Sequence, residues 1–277
     1  MLNRTTRALL VGALAIAGLA ALATLAFGSH GSGPSHDRKG HYSCRASALR
    51  LGSSEPVVAN PQQDPCVDDS ETLTVLPPDP PFGGTAQARV LNASTDQAPN
   101  DLTATGHSHT PPARNDGSTA RSSAADVVLN VPAGTGQQYV VRASAVSALA
   151  TIRCHCNYPS RFFSPVRSAK PQVTGLTIVK PDGSKLVENK TTGDTTKFST
   201  PFFDLYVNEK SSKVTSTGGV ATARALRLVI KDPSNGSVVQ TIVAAEAIAD
   251  YTGNPCEFGA STGAVSTTST DAERHVH

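Results

Sequence analysis

The chain has 277 residues, with 24 lysines and arginines against 22 aspartates and glutamates. A formal net charge of +2 with no basic cluster gives no electrostatic case for nucleic acid or anionic lipid as a partner. Tryptophan is absent, methionine occurs once and aromatic residues make up 5%, so Ala, Val, Leu and Ile must build the core.

Arg4 and Arg7 precede an uncharged apolar run from Ala8 to Phe27 that ends in small residues. This is the pattern of an export signal, and Ala26-Phe27-Gly28 places small side chains where a signal peptidase cuts, between Gly28 and Ser29. A run of about 20 residues at roughly 1.5 Å each is also long enough to span a bilayer, so residues 1–28 read as a signal peptide or an uncleaved N-terminal anchor helix. Removing them takes away two basic residues and no acidic one, leaving 22 against 22.

Residues 29–41 are rich in Gly, Ser, Pro and charge and read as a flexible spacer. A single all-β domain is expected over residues 42–258, and a Ser/Thr-rich disordered tail over 259–277. Three stretches within the domain are poor in strand formers: Asn60 to Asp69, Pro77 to Gly84, and Asp96 to Ser123. The last is too long for an ordinary loop and is expected to be a disordered insertion.

Between these stretches the apolar pattern has period two. Val141 to Ile152 reads as one long strand with small side chains on both faces. Thr222 to Ile230 alternates, meets the turn residues Asp232-Pro233-Ser234-Asn235-Gly236, and alternates again from Val238 to Tyr251, a hairpin. A second hairpin is expected where Gly175 to Lys180 meets Pro181-Asp182-Gly183 and returns through Ser184 to Glu188. The Ala-rich run Ile242 to Ala249 has helical propensity, but its β-branched neighbours and the preceding turn favour strand. Regular turns without intervening amphipathic helices predict an antiparallel β-sandwich or barrel-like domain.

Six segments carry a resemblance. They are Tyr42 to Leu51, Gly83 to Ser94, Val141 to Cys154, Leu205 to Glu209, Val220 to Ile230, and Ile242 to Cys256. In this order they resemble the choice-of-anchor P family of actinobacterial exported surface proteins. The resemblance implies an extracellular β domain held at the envelope by differing anchors, with no assigned catalytic residues. No LPxTG-type sortase signal follows Cys256, so any anchor is expected to be the N-terminal run or a partner.

An exported chain oxidises its thiols, and Cys44, Cys66, Cys154, Cys156 and Cys256 form an odd set. Two bridges among five cysteines allow fifteen arrangements, five choices of free thiol times three pairings. Cys44 in the first strand and Cys66 in the loop after it would close a short loop. A cysteine after each of two recurring strands is part of the family pattern, which implies Cys154 with Cys256. Cys156 is then the unpaired thiol, free or intermolecular, and the exchange of Cys154 for Cys156 remains open.

Chemical motifs are sparse. Gly259-Ala260-Ser261-Thr262-Gly263, followed by Asp271 and His275, satisfies a hydrolase pattern, but all three residues sit in one tail that has no strand-to-helix turn to strain the serine. Cys154-His155-Cys156 puts three metal-ligating types in a row, yet only one closely spaced cysteine pair exists, and adjacent strand residues point to opposite faces. Asn92, Asn189 and Asn235 lie in N-x-S/T sequons that carry no weight in a bacterium. Phe198, Phe202, Phe203 and Tyr206 read as large anchors of a small-residue core rather than a ligand platform. The function expected is an exported structural or adhesive envelope domain with no catalysis and no cofactor. The alternative is an extracellular carbohydrate- or small-ligand-binding module. The expected partner is an unidentified envelope component, with membrane contact only through the N-terminal run.

Overall fold

A computed structural model describes residues 36–77, 85–134, 136–157 and 162–258. They form thirteen strands: β1 (His36–Leu51), β2 (Ser54–Ala59), β3 (Asp69–Val75), β4 (Ala86–Ala98), β5 (His107–Ser108), β6 (Gly117–Pro132), β7 (Gln138–Asn157), β8 (Phe162–Val179), β9 (Lys185–Thr192), β10 (Thr196–Ser199), β11 (Phe203–Thr215), β12 (Gly218–Lys231) and β13 (Val238–Phe258). The fold is all-β, with two antiparallel sheets. The first runs β10-β11-β12-β13-β1-β2, with β5 paired to β1, and the second runs β3-β4-β6-β7-β8-β9. Both sheets belong to one compact unit.

Period-two alternation places the core. Along β7, Val141, Ala143, Val146, Ala148, Ala150 and Ile152 are buried, while Arg142, Ala145 and Arg153 are exposed. Both expected hairpins are present, as β12–β13 and β8–β9. The run Ile242 to Ala249 is strand, paired on one side with β1 and on the other with β12.

At one level both ladders are interrupted. In the first sheet the pairing passes over Ala48 on β1, Ala245 on β13, Ala225 on β12 and Asn208 on β11. In the second sheet the row is Val90 on β4, Asp126 on β6, Ser144 on β7, Gly175 on β8 and Asn189 on β9. Asn208, Ala245, Val90, Asp126, Gly175 and Asn189 have positive φ, from 41° at Asn189 to 67° at Gly175. In the first sheet this row lies where the inner side chains change size. On one side the first sheet buries Leu49, Leu51, Leu226, Leu228 and Ile242, and the second buries Leu129, Val141 and Ile178. On the other, the first buries Ala46, Ala221, Ala223, Ala247 and Ala249, and the second Ala120, Ala124, Ala148 and Ala150 together with Leu91, Val146, Ile152 and Val173. The six positive-φ residues of the two rows sit where a bulge residue sits in a ladder, opposite an interruption of the pairing.

Two expectations are corrected. The spacer expected at 29–41 ends earlier, because β1 begins at His36, with Asp37 opposite His107 on β5 and Gly40 opposite Gly253 on β13. The disordered insertion expected at 96–123 is ordered. Its first residues complete β4, and those from Gly117 onward belong to β6, paired with β7 from Gly117↔Arg153. The segment between is pinned by Arg38, whose amide donates to the Gly106 carbonyl at 2.8 Å and whose side chain donates to the Thr110 carbonyl at 3.0 Å, and by contacts within the segment itself. Leu102 is buried, and its carbonyl accepts from Gln97 Nε2 at 2.9 Å; Asp101 accepts from Ser108 Oγ at 2.9 Å and from the His109 amide at 2.6 Å.

Candidate functional site

Three regions carry polar chemistry. The first is the alanine end of the sandwich, where disulfides join Cys44 to Cys66 and Cys154 to Cys256, the two pairs named from the sequence. The second bridge ties β7 of one sheet to β13 of the other. All four sulfurs belong to buried residues, with Tyr42 beside them, its hydroxyl donating to Cys154 Sγ at 3.0 Å. Burial pushes the Tyr42 phenol well above the usual tyrosine range, with nearby Arg38 pulling against it and Asp116 adding to it.

Arg38 closes this end. Its guanidinium is fully buried and donates to Asp116 Oδ2 at 2.9 Å, to the Pro255 carbonyl at 3.2 Å and to the Thr110 carbonyl at 3.0 Å. Asp116 in turn accepts from the Ala113 amide at 2.8 Å, and its own carbonyl accepts from the Cys154 amide at 2.7 Å. Pair, cap segment and bridge therefore form one unit.

The second region is the outer face of the first sheet, an ion ladder across its strands. Glu246 on β13 is almost fully buried and meets Arg224 on β12, Arg50 on β1 at 3.3 Å and Arg45 on β1 at 3.9 Å; Arg45 also pairs with Glu55 on β2. Further along, Arg227 grips Glu209 with two hydrogen bonds of 2.7 and 2.6 Å and lies 3.9 Å over the Tyr206 ring. Asp204 holds Lys231 at 3.1 Å and Lys197 at 3.4 Å. Six cations of this face are thus spent on carboxylates of the same sheet, while Lys210 and Lys213 on β11 are exposed outside any ion pair among the described residues.

The third region is the outer face of the second sheet, and it differs in kind. Its floor is small and polar: Ser123 pairs with Ser147 and Asn92, and Ala125 pairs with Ala145. Two open grooves cross it. One, of about 490 Å³, follows the interrupted row and is lined by Asp126, Arg142, Ser144, Thr177, Lys185 and Asn189 among others. The other, of about 360 Å³, is lined by Asn92, Ser94, Arg121, Ser123, Ser147 and Leu149. Arg89, Arg121, Arg142, Arg153 and Lys170 are exposed there, and among the described residues the ion pair on this face joins Lys185 to Glu188 instead.

The remaining sequence candidates separate. Cys154 is spent in a disulfide and His155 is exposed on the opposite side of the strand; among the described residues no cluster of three His, Cys, Asp or Glu is arranged to hold a metal. Phe203 is fully buried, Tyr139 meets it edge-on with centroids 5.3 Å apart, and Phe198 and Phe202 pack against the core. Gly28, Ser29, the Cys156 side chain and the Gly259–Gly263 motif lie outside the described residues. The five unpaired cations were missed as a group, because strand pairing alone brings them to one face. Parity in the sequence points the wrong way: Arg142 and Arg153 are eleven residues apart, so strict alternation would put them on opposite faces, and the interruption of the ladder at Ser144 brings them to one. No family model, curated protein or solved structure matches the chain.

Proposed function

We propose that the chain is an exported structural or adhesive domain of the cell envelope, of the choice-of-anchor P kind, acting through its surfaces rather than by catalysis. The observation that carries this reading is the pair of buried disulfides at one end of an all-β sandwich, since such bridges persist in an oxidising, extracytoplasmic compartment. The family part is supported by where the resembling segments fall: five of the six supply β1, β7, β11, β12 and β13, including three of the four bridged cysteines. The grooves support adhesion over capture of a small ligand, because both are open and neither is lined by an aromatic platform.

The test is fractionation of producing cells followed by non-reducing peptide mapping. The expected result is bridged protein in the envelope or medium fraction, and sedimentation of the purified protein with washed envelopes. Recovery of reduced protein from the cytoplasm would overturn the reading.

A further inference from the structure

We infer that the outer face of β4, β6, β7 and β8 is a docking surface for a linear anionic glycan, one bearing carboxylate or phosphate groups along its length. This rests on the adhesive reading above and names its face and partner chemistry. The two sheets use their charges unequally. On the first sheet Arg45, Arg50, Arg224, Arg227, Lys197 and Lys231 are each paired with a carboxylate of that sheet, and Lys210 and Lys213 on β11 are its exposed cations outside an ion pair among the described residues. On the second, Arg89, Arg121, Arg142, Arg153 and Lys170 stand exposed outside any ion pair among the described residues. An exposed cation left unpaired by its own fold remains available to an external anion, whose attraction is screened by salt.

The cations are also ordered. Arg121, Leu149 and Lys170 are register partners across β6, β7 and β8, so Arg121 and Lys170 are two strand spacings apart, roughly 10 Å. Arg142 and Arg153 lie on β7 itself, eleven residues apart and separated by roughly 35 Å of strand. This is a track for an extended chain, whereas a small anion would need convergence on one point. Both grooves lie along it, with Arg121 on one and Arg142 on the other.

The floor selects the kind of polyanion. Ser94, Ser123, Ser144, Ser147 and Thr177 offer hydroxyls that donate and accept, suited to sugar hydroxyls. Neither groove has an aromatic lining residue on which a base could stack, which removes the main affinity source for single-stranded nucleic acid. Asp126 and Glu188 line the Arg142 groove and Asp96 is exposed near the end of β4. Carboxylates so placed accept from sugar hydroxyls but repel a densely phosphorylated duplex.

The experiment uses the full chain in solution, with polygalacturonate as the carboxylate probe, poly(glycerol phosphate) as the phosphate probe, dextran as the neutral glycan and oligo-dT as the nucleic acid. Binding is measured for the unmodified protein, for Arg121→Ser/Arg142→Ser/Arg153→Ser, and for Lys39→Ser/Lys210→Ser/Lys213→Ser. The last variant has the same change in net charge, made on exposed residues of the other sheet. The expected result is binding to at least one anionic glycan, lost on raising salt, weakened about ten-fold by the arginine variant and less than about two-fold by the lysine variant. The carboxylate and phosphate arms tell which anion is read. Equal weakening by both variants, equal binding of dextran, or tighter binding of oligo-dT than of either glycan would each overturn the inference. Washed envelopes separate the two levels of the argument. Undiminished envelope binding by the arginine variant leaves adhesion standing and removes this face, whereas no envelope binding by the unmodified protein removes the adhesive reading itself.

Discussion

Removing the two disulfides separately should destabilise the fold unequally, by amounts set by the loops they close. Cys44 and Cys66 are 22 residues apart and Cys154 and Cys256 are 102 apart. The chain-entropy relation gives about 3.4 kcal/mol for the first loop and about 4.7 kcal/mol for the second, a difference of about ten-fold in the unfolding equilibrium. The loops do not overlap in sequence, so the two terms should add to about 8 kcal/mol, comparable to the whole stability of many domains. Equilibrium urea unfolding of Cys44→Ala/Cys66→Ala, Cys154→Ala/Cys256→Ala and the fourfold variant tests this, followed by far-UV circular dichroism because the chain lacks tryptophan. The shorter loop proving the costlier to open, or a fourfold variant no less stable than either double, would refute the reasoning.

Tyr42 should make the fold sensitive to base: its buried phenol titrates above the usual tyrosine range, so its contribution is complete below about pH 10 and is lost as the unfolded chain ionises above that. Tyr42→Phe should flatten the fall of stability with pH above 10, and an unchanged slope by urea titration would count against the assignment. Arg38→Met leaves Asp116 without its cation in a nearly buried site, an expected loss of about 3–5 kcal/mol, with early proteolytic cutting between residues 99 and 116. Gly175→Ala should cost about 2 kcal/mol or more by thermal unfolding, because at φ +67° the new Cβ would lie 2.4 Å from Ser144 Oγ; Ser144→Ala should return part of it by removing that atom.

What the sequence disclosed was local. The turn at Asp232 to Gly236 was legible because its geometry is made by its own residues: Asp232 accepts from the Ser234 amide at 2.8 Å, and Gly236 takes φ 72°. The Pro181-Asp182-Gly183 turn was legible in the same way, with Gly183 at φ 82°. The cap between β4 and β6 was not, since its order comes from Arg38, 78 residues from Asp116, and from Cys154. Nor was the row of left-handed residues. Asparagine tolerates that conformation, so Asn189 and Asn208 were faint signals, but Val90 is a β-branched residue at φ 48° that nothing in its neighbourhood foretells. The cation track was illegible for a third reason: Arg121, Arg142, Arg153 and Lys170 come from three strands, and only their pairing puts them on one face.

Both disulfides lie on the side of the interrupted rows where the inner face of the first sheet is built of alanine. An alanine buries three fewer carbons than a leucine, about 2.4 kcal/mol less hydrophobic stabilisation at each position. In the half that contains Ala46, Ala247 and Ala249 the first sheet therefore contributes less apolar burial than in the half that contains Leu49, Leu226 and Leu228, while the second sheet still buries Leu91, Val146 and Ile152 there. Cys44 is two residues from Ala46 on β1, and Cys154 is four from Ala150 on β7. At about 4.7 kcal/mol the longer bridge offsets roughly two such alanines, and the buried Arg38–Asp116 pair closes the same end. The outer face of this half carries the small residues Ser123, Ser147, Ala125 and Ala145 beside the arginines. A strand with small residues on both faces is poor at building a core and well suited to lying under an extended polymer, and the disulfides allow β7 to serve as both.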